Sequence, residues 1–369
     1  MRAVVLHHYE QGACLDDVDV EEPRPDEVLV RVVASGVCRS DLHVLHGRSP
    51  VAALPMVLGH EGAGIVEAVG AGVDALAAGD HVVLALYGPC GACASCRAGN
   101  PVHCDGPART QAIFGRAADG STRLHQGGEP VHPMVGVGSL AEYAVLRAAQ
   151  TVKIDPAIPL ELACLAGCGV TTGLGAVLNI ARVPAGASVA VVGCGGVGLN
   201  VVQGAHLCGA HPIIAVDTNV EKLDLASDFG ATHAVDASNA SMHDAIAEIA
   251  PGGVDFAFEV VGDPDLVAST FELTRPGGTC VMVGSPPPGS RIPVDGRTLF
   301  AERRLVGCTG GSNVPARDIP RIMSLYRAGR LELDRLVSQR VALEEFQRAF
   351  DALERGEVAR SVVTVAPSA

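Results

Sequence analysis

Residues 183–216 contain no Asp, Glu, Lys or Arg, and within them Val189-Ala190-Val191-Val192 runs straight into Gly193-Cys194-Gly195-Gly196-Val197-Gly198. An uncharged stretch of this length suits a membrane helix or elements buried inside one domain. The glycines clustered between Gly193 and Gly204, with Asn200 and Gln203, fit a membrane helix poorly. A buried parallel strand, a glycine turn and the helix beneath it explain the same apolarity. Gly193 permits the tight turn, Gly195 lets backbone approach a pyrophosphate, and Gly198 lets helix and strand pack closely. The helix N-terminus offers N–H groups to phosphates. Asp217, at the end of the next strand, can accept hydrogen bonds from a ribose diol and repels a 2′-phosphate. The segment therefore predicts a dinucleotide site, with NAD preferred over NADP.

The surrounding pattern alternates. Strands are expected at 188–192, 213–216, 254–260 and 279–283, with helices at 198–208, 220–229 and 266–274. This is a doubly wound parallel sheet with helices on both faces, an α/β fold of Rossmann type. The earlier part reads differently. Valine-rich strands are expected at the N-terminus and at 28–33, 62–69 and 81–86, which describes an irregular, mostly β domain. Residues 106–138 are rich in Gly, Arg and His and predict a long loop covering a site. After Gly311 the chain returns to helices (315–328, 343–355) and a last strand (361–365).

Cys90, Cys93, Cys96 and Cys104 lie in the run CGACASCRAGNPVHC. Two C-x-x-C steps and a fourth cysteine one loop later can converge on one tetrahedral ion, and Zn²⁺ accepts four thiolates in a closed structural site. Disulfide pairing and an iron–sulfur cluster are the alternatives. Three further segments carry donors: Cys38 in GVCRSDLH, His60 in GHEGAG, and Cys168 in GCGVTTG. Two thiolates and one imidazole leave a fourth position open, the mark of a catalytic zinc. Singly, each residue also has a plain reading, as a packed thiol or a turn histidine.

The formal charge of −14 argues against a nucleic-acid surface and against docking on anionic lipid. Twelve cysteines and no visible export signal predict a reducing, cytoplasmic setting.

Taken together, GVCRSDLH, GHEGAGIVEAVG, CGACASC with Cys104, GCGVTTG, GCGGVG and Asp217 resemble, in order and spacing, the zinc-dependent medium-chain alcohol dehydrogenase family of the long-loop, two-zinc type. The likeness covers nearly the whole chain. It implies a GroES-like catalytic domain over 1–170, a Rossmann NAD-binding domain over 171–310, and a return to the first domain over 311–369, with the active site in the cleft between them. It implies catalytic zinc on Cys38, His60 and Cys168 and structural zinc on Cys90, Cys93, Cys96 and Cys104. Ser40 and His43 become the proton relay. Asp41 orients His60, and Glu61 lies behind the metal. Arg39 and Arg360 reach the cofactor pyrophosphate. Thr172 contacts the nicotinamide and Lys222 the adenosine ribose. Gly193, Gly195, Gly196, Val197, Gly198, Asp217, Val260 and Val283 complete the cofactor site.

The activity so implied is NAD-dependent oxidation of primary alcohols, aromatic or bulky ones included, to aldehydes, and the reverse. Leu86 stands where an aromatic pocket residue is usual, which widens the pocket. Asp263 stands where an arginine is often found near the cofactor. A thiol-adduct formaldehyde dehydrogenase is the rival within the family, because Arg109, Arg116 and Arg123 lie on the right loop. A cofactor-retaining nicotinoprotein and a polyol or threonine dehydrogenase are further alternatives. A non-catalytic dinucleotide-binding sensor is the distant one, and it has no use for an open metal site. The expected assembly is a homodimer, with a tetramer as the alternative, and no membrane or nucleic-acid partner.

Overall fold

The computed structural model describes residues 1–9, 11–49, 53–86 and 88–365. The chain forms two units, Met1–Cys168 with Val314–Ala369, and Gly169–Asn313.

The first unit is built on the strand Glu27–Val37, whose sequence EVLVRVVASGV is buried along most of both faces. It pairs antiparallel with Glu61–Val69, Tyr143–Arg147 and Arg360–Thr364. Its apolar side chains, Val28, Val30 and Val32, join Val66, Val82 and Leu84 in one core cluster. The register aligns the strand ends. Gly36 lies opposite Glu61, and Val37 lies opposite Ser361. Three chain segments therefore bring Cys38, His60 and Arg360 to the same end of the sheet. A second mixed sheet carries the N-terminal hairpin, Arg2–His8 with Gly12–Asp17.

Residues 106–138 are not the long loop expected. They hold a helix at Pro107–Ala112 and an antiparallel hairpin, Leu124–Gln126 with Glu129–Pro133. The turn between these strands is Gly127-Gly128, both at positive φ, the backbone a tight hairpin needs. Two short strands interrupted by His and Pro hid that signal.

The second unit is a six-stranded parallel sheet. Its spatial order is His233–Asp236, Ile213–Asp217, Val189–Val192, Val254–Glu259, Thr274–Met282, Arg304–Gly307. This is the doubly wound order, with the strand that feeds the glycine loop at its centre. The helix expected at 266–274 is displaced to Pro264–Glu272, because Asp263 caps it by accepting from the Asp265 and Leu266 amides. Among the described residues, no single helix is long and apolar enough to cross a membrane.

Candidate metal centres and dinucleotide site

At the end of the central strand, Cys38 serves as N-cap of the helix Arg39–Leu45. Asp41, in the first turn of that helix, folds back. Its Oδ2 accepts from the Cys38 amide at 2.9 Å, and its Oδ1 accepts from the Gly59 amide at 3.1 Å. The same Oδ1 lies 3.2 Å from His60 Nδ1. One buried carboxylate thus ties two metal-ligand segments together, fixes the imidazole tautomer, and leaves Nε2 to point away. Gly59, at φ +90°, makes the turn into His60. Its carbonyl accepts from the Ser139 amide at 3.0 Å, and Ser139 Oγ lies 2.7 Å from Ser35 Oγ.

The donor atoms of Cys38, His60, Glu61 and Cys168 all lie within 4.8 Å of one another. Cys38, His60 and Glu61 are buried, and Cys168 is the most accessible of the four. The electrostatics of the cluster call for a cation. A hydrogen bond from Cys168 favours the Cys38 thiolate, while that same pairing and burial hold Cys168 protonated. Ionising both sulfurs, as metal ligation requires, needs a positive charge between them. Burial opposes an imidazolium at His60, yet Asp41 and Cys168 outweigh it and raise its pKa. Burial lifts the Glu61 carboxyl to about 7, against the pull of Arg360. Two sulfurs and one nitrogen suit Zn²⁺ and leave a fourth position open, with Glu61 held beside them by Arg360, so the residues present fit a catalytic zinc.

Arg360 is 4% exposed, and its guanidinium stands 3.5 Å from Glu61 Oε1. Burial works against its charge, but Glu61, Cys38 and Cys168 keep it firmly protonated. Besides the cofactor role implied for it, Arg360 is thus the countercharge to Glu61. Sequence reasoning missed that pairing, since nothing local links residues 61 and 360. Ser40 and Arg39 are exposed on the short helix, and Cys38 Sγ stands 3.9 Å from Ser40 Oγ. His43, further along the same helix, is half-buried. Burial and the charge of Arg39 lower its pKa.

The second cysteine set gathers as tightly. The sulfurs of Cys90, Cys93, Cys96 and Cys104 lie within 4.8 Å of one another. Backbone amides of Cys90, Cys93 and Cys96 donate to the sulfurs of Cys104, Cys90 and Cys93 at 3.3–3.5 Å. The Ala92 and Cys93 amides bring the Cys90 thiol down to about 6, whereas burial and Cys93 push Cys96 up to about 12. No disulfide joins the described cysteines. A closed four-sulfur cage with amides aimed at its sulfurs fits a structural zinc.

In the second unit, Gly193 sits at φ +96°. A Cβ on Gly198 would stand 1.9 Å from the Gly193 carbonyl oxygen, whereas one on Gly195 would meet nothing within 4 Å. The loop thus packs tightly at one glycine and leaves an open cradle at another, beside the helix start at Gly196-Val197. Asp217 Oδ2 accepts from the Cys194 amide at 2.7 Å, which locks the acidic strand end to the loop. Val260 and Val283 are half-buried at the ends of neighbouring strands, their amides bonded to Val192 and Glu259. Thr172, in the helix Gly169–Gly175, and Lys222, in the helix Val220–Asp228, are half-buried. Glu259 was not anticipated. It is fully buried and its Oε1 accepts from the Val261 and Gly262 amides at 2.8 and 2.7 Å. An acid ending the apolar strand VDFAFE was the available signal.

Comparison with known proteins agrees with this arrangement. The family "Alcohol dehydrogenase GroES-like domain" matches residues 24–156, and "Zinc-binding dehydrogenase" matches residues 196–327. Alcohol dehydrogenase B of Mycobacterium tuberculosis is 39% identical over 98% of this chain and 97% of its own length. The crystal structure of benzyl alcohol dehydrogenase from Acinetobacter calcoaceticus superposes with a TM-score of 0.93 at 36% identity, covering 99% of each chain. A putative zinc-binding dehydrogenase from Sinorhizobium meliloti, solved with NADP, gives 0.81 at 30% identity, again over 99% of each chain. The chain belongs to the zinc-dependent medium-chain alcohol dehydrogenase family. It is an oxidoreductase with a GroES-like domain and a Rossmann coenzyme domain, a zinc enzyme that uses a dinucleotide.

Proposed function

We propose that this enzyme oxidises primary alcohols with aromatic or bulky substituents to aldehydes, and catalyses the reverse, using NAD and two zinc ions per chain. The buried donor set of Cys38, His60 and Cys168, braced by Asp41, carries this reading. Zinc held there supplies Lewis-acid polarisation of the alcohol, and the dinucleotide supplies the hydride acceptor. The chain's own residues do the rest. Ser40 presents a hydroxyl beside the Cys38 sulfur to take the alcohol proton. His43, whose pKa burial and Arg39 lower from its ordinary value, receives that proton and hands it to water. Asp41 holds His60 in one tautomer. Arg39 on the same short helix supplies a cation for the cofactor phosphates, as does Arg360 from the last strand. Thr172, Val260 and Val283 are assigned to the nicotinamide side, and Lys222 with Asp217 to the adenosine ribose.

The carboxylate of Asp217 at the strand end supports NAD. Leu86 and the 36% identity to benzyl alcohol dehydrogenase support an aromatic substrate. The thiol-adduct rival is weakened, because Arg123 is buried and paired with Glu21 and Glu27. Its charge is already committed, so the three-arginine set is incomplete. A homodimer fits the sheet edge Arg304–Gly307, which follows the exposed Leu299 and Phe300, the latter 90% exposed. A cytoplasmic setting agrees with twelve cysteines and no disulfide among the described residues.

The test is a panel of aliphatic, aromatic and thiol-adduct alcohols assayed by reduced-cofactor absorbance with NAD and with NADP, repeated on Cys38→Ser. Benzyl-type alcohols with NAD should give the highest kcat/KM, and the variant should be inactive yet still bind cofactor. Full turnover by Cys38→Ser, or a preference for NADP or for thiol adducts, overturns the corresponding assignment.

A further inference from the structure

Outside both cysteine sets, the N-terminal hairpin collects a third group of donors. We propose that His7, Cys14 and Asp16 form an exchangeable zinc site on the surface of the first unit, independent of the catalytic assignment. The hairpin's register makes the site. Val5 lies opposite Cys14 and Ala3 opposite Asp16, so Cys14 and Asp16, two residues apart on one strand, share a face. His7 follows Val5 by two and shares that face. The register shifts between Leu6 and His8, which carries the His7 ring across to the second strand.

His7 Nε2 stands 2.6 Å from Asp16 Oδ2, and Cys14 Sγ stands 3.4 Å from the same oxygen. All three donor atoms lie within 4.8 Å of one another. Zinc with bonds of about 2.0–2.3 Å needs donors roughly 3.3–3.8 Å apart. The Cys14–Asp16 spacing already meets this, and the His7–Asp16 contact has to open. There the metal replaces a shared proton.

Simpler readings leave something over. A surface His–Asp pair is worth little, and the thiol adds to it only long contacts to Asp16 Oδ2 and, at 3.8 Å, to the Val5 carbonyl. A nucleophilic cysteine needs a base that lowers its pKa, yet Cys14 faces a carboxylate, not the imidazole. Imidazole, thiolate and carboxylate together are a borderline donor set that selects zinc over calcium or magnesium. Cys14 is exposed, and the side chains of His7 and Asp16 are 28% and 31% exposed. A metal can therefore enter and leave, with water completing the shell. Such a site would clamp the edge strand Gly12–Asp17 to its neighbour.

The experiment uses the full-length enzyme with its tightly held zinc in place, freed of loose metal by a weak chelator. Zinc is then titrated against a chromophoric competitor. Wild type should take up one further equivalent, while Cys14→Ser and His7→Gln should bind it at least about tenfold more weakly. Tight zinc content and turnover should be unchanged in both. Cobalt added to the same protein should give a thiolate charge-transfer band that Cys14→Ser abolishes. No additional equivalent in wild type would overturn the proposal, as would an equal one in both variants, which would mean adventitious surface metal only.

Discussion

Asp41 is where the catalytic centre is most exposed to a single change. It is fully buried and receives three donors: the amides of Cys38 and Gly59, and His60. Asp41→Ala strands all three. Breaking a buried charged group's partnership costs about 3–5 kcal/mol. For a unit of this size, that lowers its Tm by about 10 °C. Asp41→Asn keeps an oxygen for Gly59 and His60 but turns an amide toward the Cys38 N–H, setting donor against donor. One lost buried bond costs about 1–3 kcal/mol. Because His60 is oriented through this carboxylate, zinc affinity should fall about 10- to 100-fold, more in Ala than in Asn. Chelator-driven zinc release, followed with a chromophoric indicator, reads the metal effect. Thermal unfolding of the same samples reads the stability effect. The Cys90–Cys104 set shares no hydrogen bond with Asp41, so the second zinc proposed there should leave at the wild-type rate and serves as the internal control. If Asp41→Ala releases both zinc ions at wild-type rates, the carboxylate positions nothing and the reasoning fails.

Gly198→Ala places a Cβ 1.9 Å from the Gly193 oxygen. It should destabilise the second unit by about 1–3 kcal/mol and weaken dinucleotide binding, with metal content intact, as checked by cofactor fluorescence titration. Cys96→Ser should remove one zinc and expose residues 90–104 to limited proteolysis, while cofactor binding persists. His43 has a pKa lowered by burial and then by Arg39, so it accepts protons throughout the neutral range and loses that capacity only below about 6.5. The acid limb of the kcat profile should therefore lie below that pH. Arg39→Ala should move it upward, and His43→Gln should remove it. An acid limb that ignores both substitutions assigns the proton path elsewhere.

The fold was legible where burial was strongest. Val189–Val192 and residues 213–216 are mostly β-branched, uncharged and bounded by glycine or acid, so their class and order could be read directly. The sheet's outer strands escaped. His233–Asp236 and Arg304–Gly307 are short, carry charge or histidine, and are largely uncovered on one side, so they lack an apolar signature. The hairpin within residues 106–138 escaped for a related reason, since its register is set by Gly127-Gly128 rather than by alternation.

The site was legible in its donors and opaque in their supports. Thiols and imidazoles announce themselves because few folds need them at such spacing. Their scaffolding is made by ordinary residues distant in sequence, such as the Ser35–Ser139 contact. The Glu61–Arg360 pair makes the physical point. A carboxylate beside two thiols accumulates negative charge that desolvation makes costly, and a cation at the metal position cancels only part of it. A fixed buried guanidinium behind the cluster offsets the carboxylate, so that the metal answers to the two sulfurs and stays electrophilic. Removing Arg360 should therefore lower the activity of fully zinc-loaded enzyme even where cofactor saturates. Activity that returns to wild type at saturating cofactor would confine Arg360 to cofactor binding.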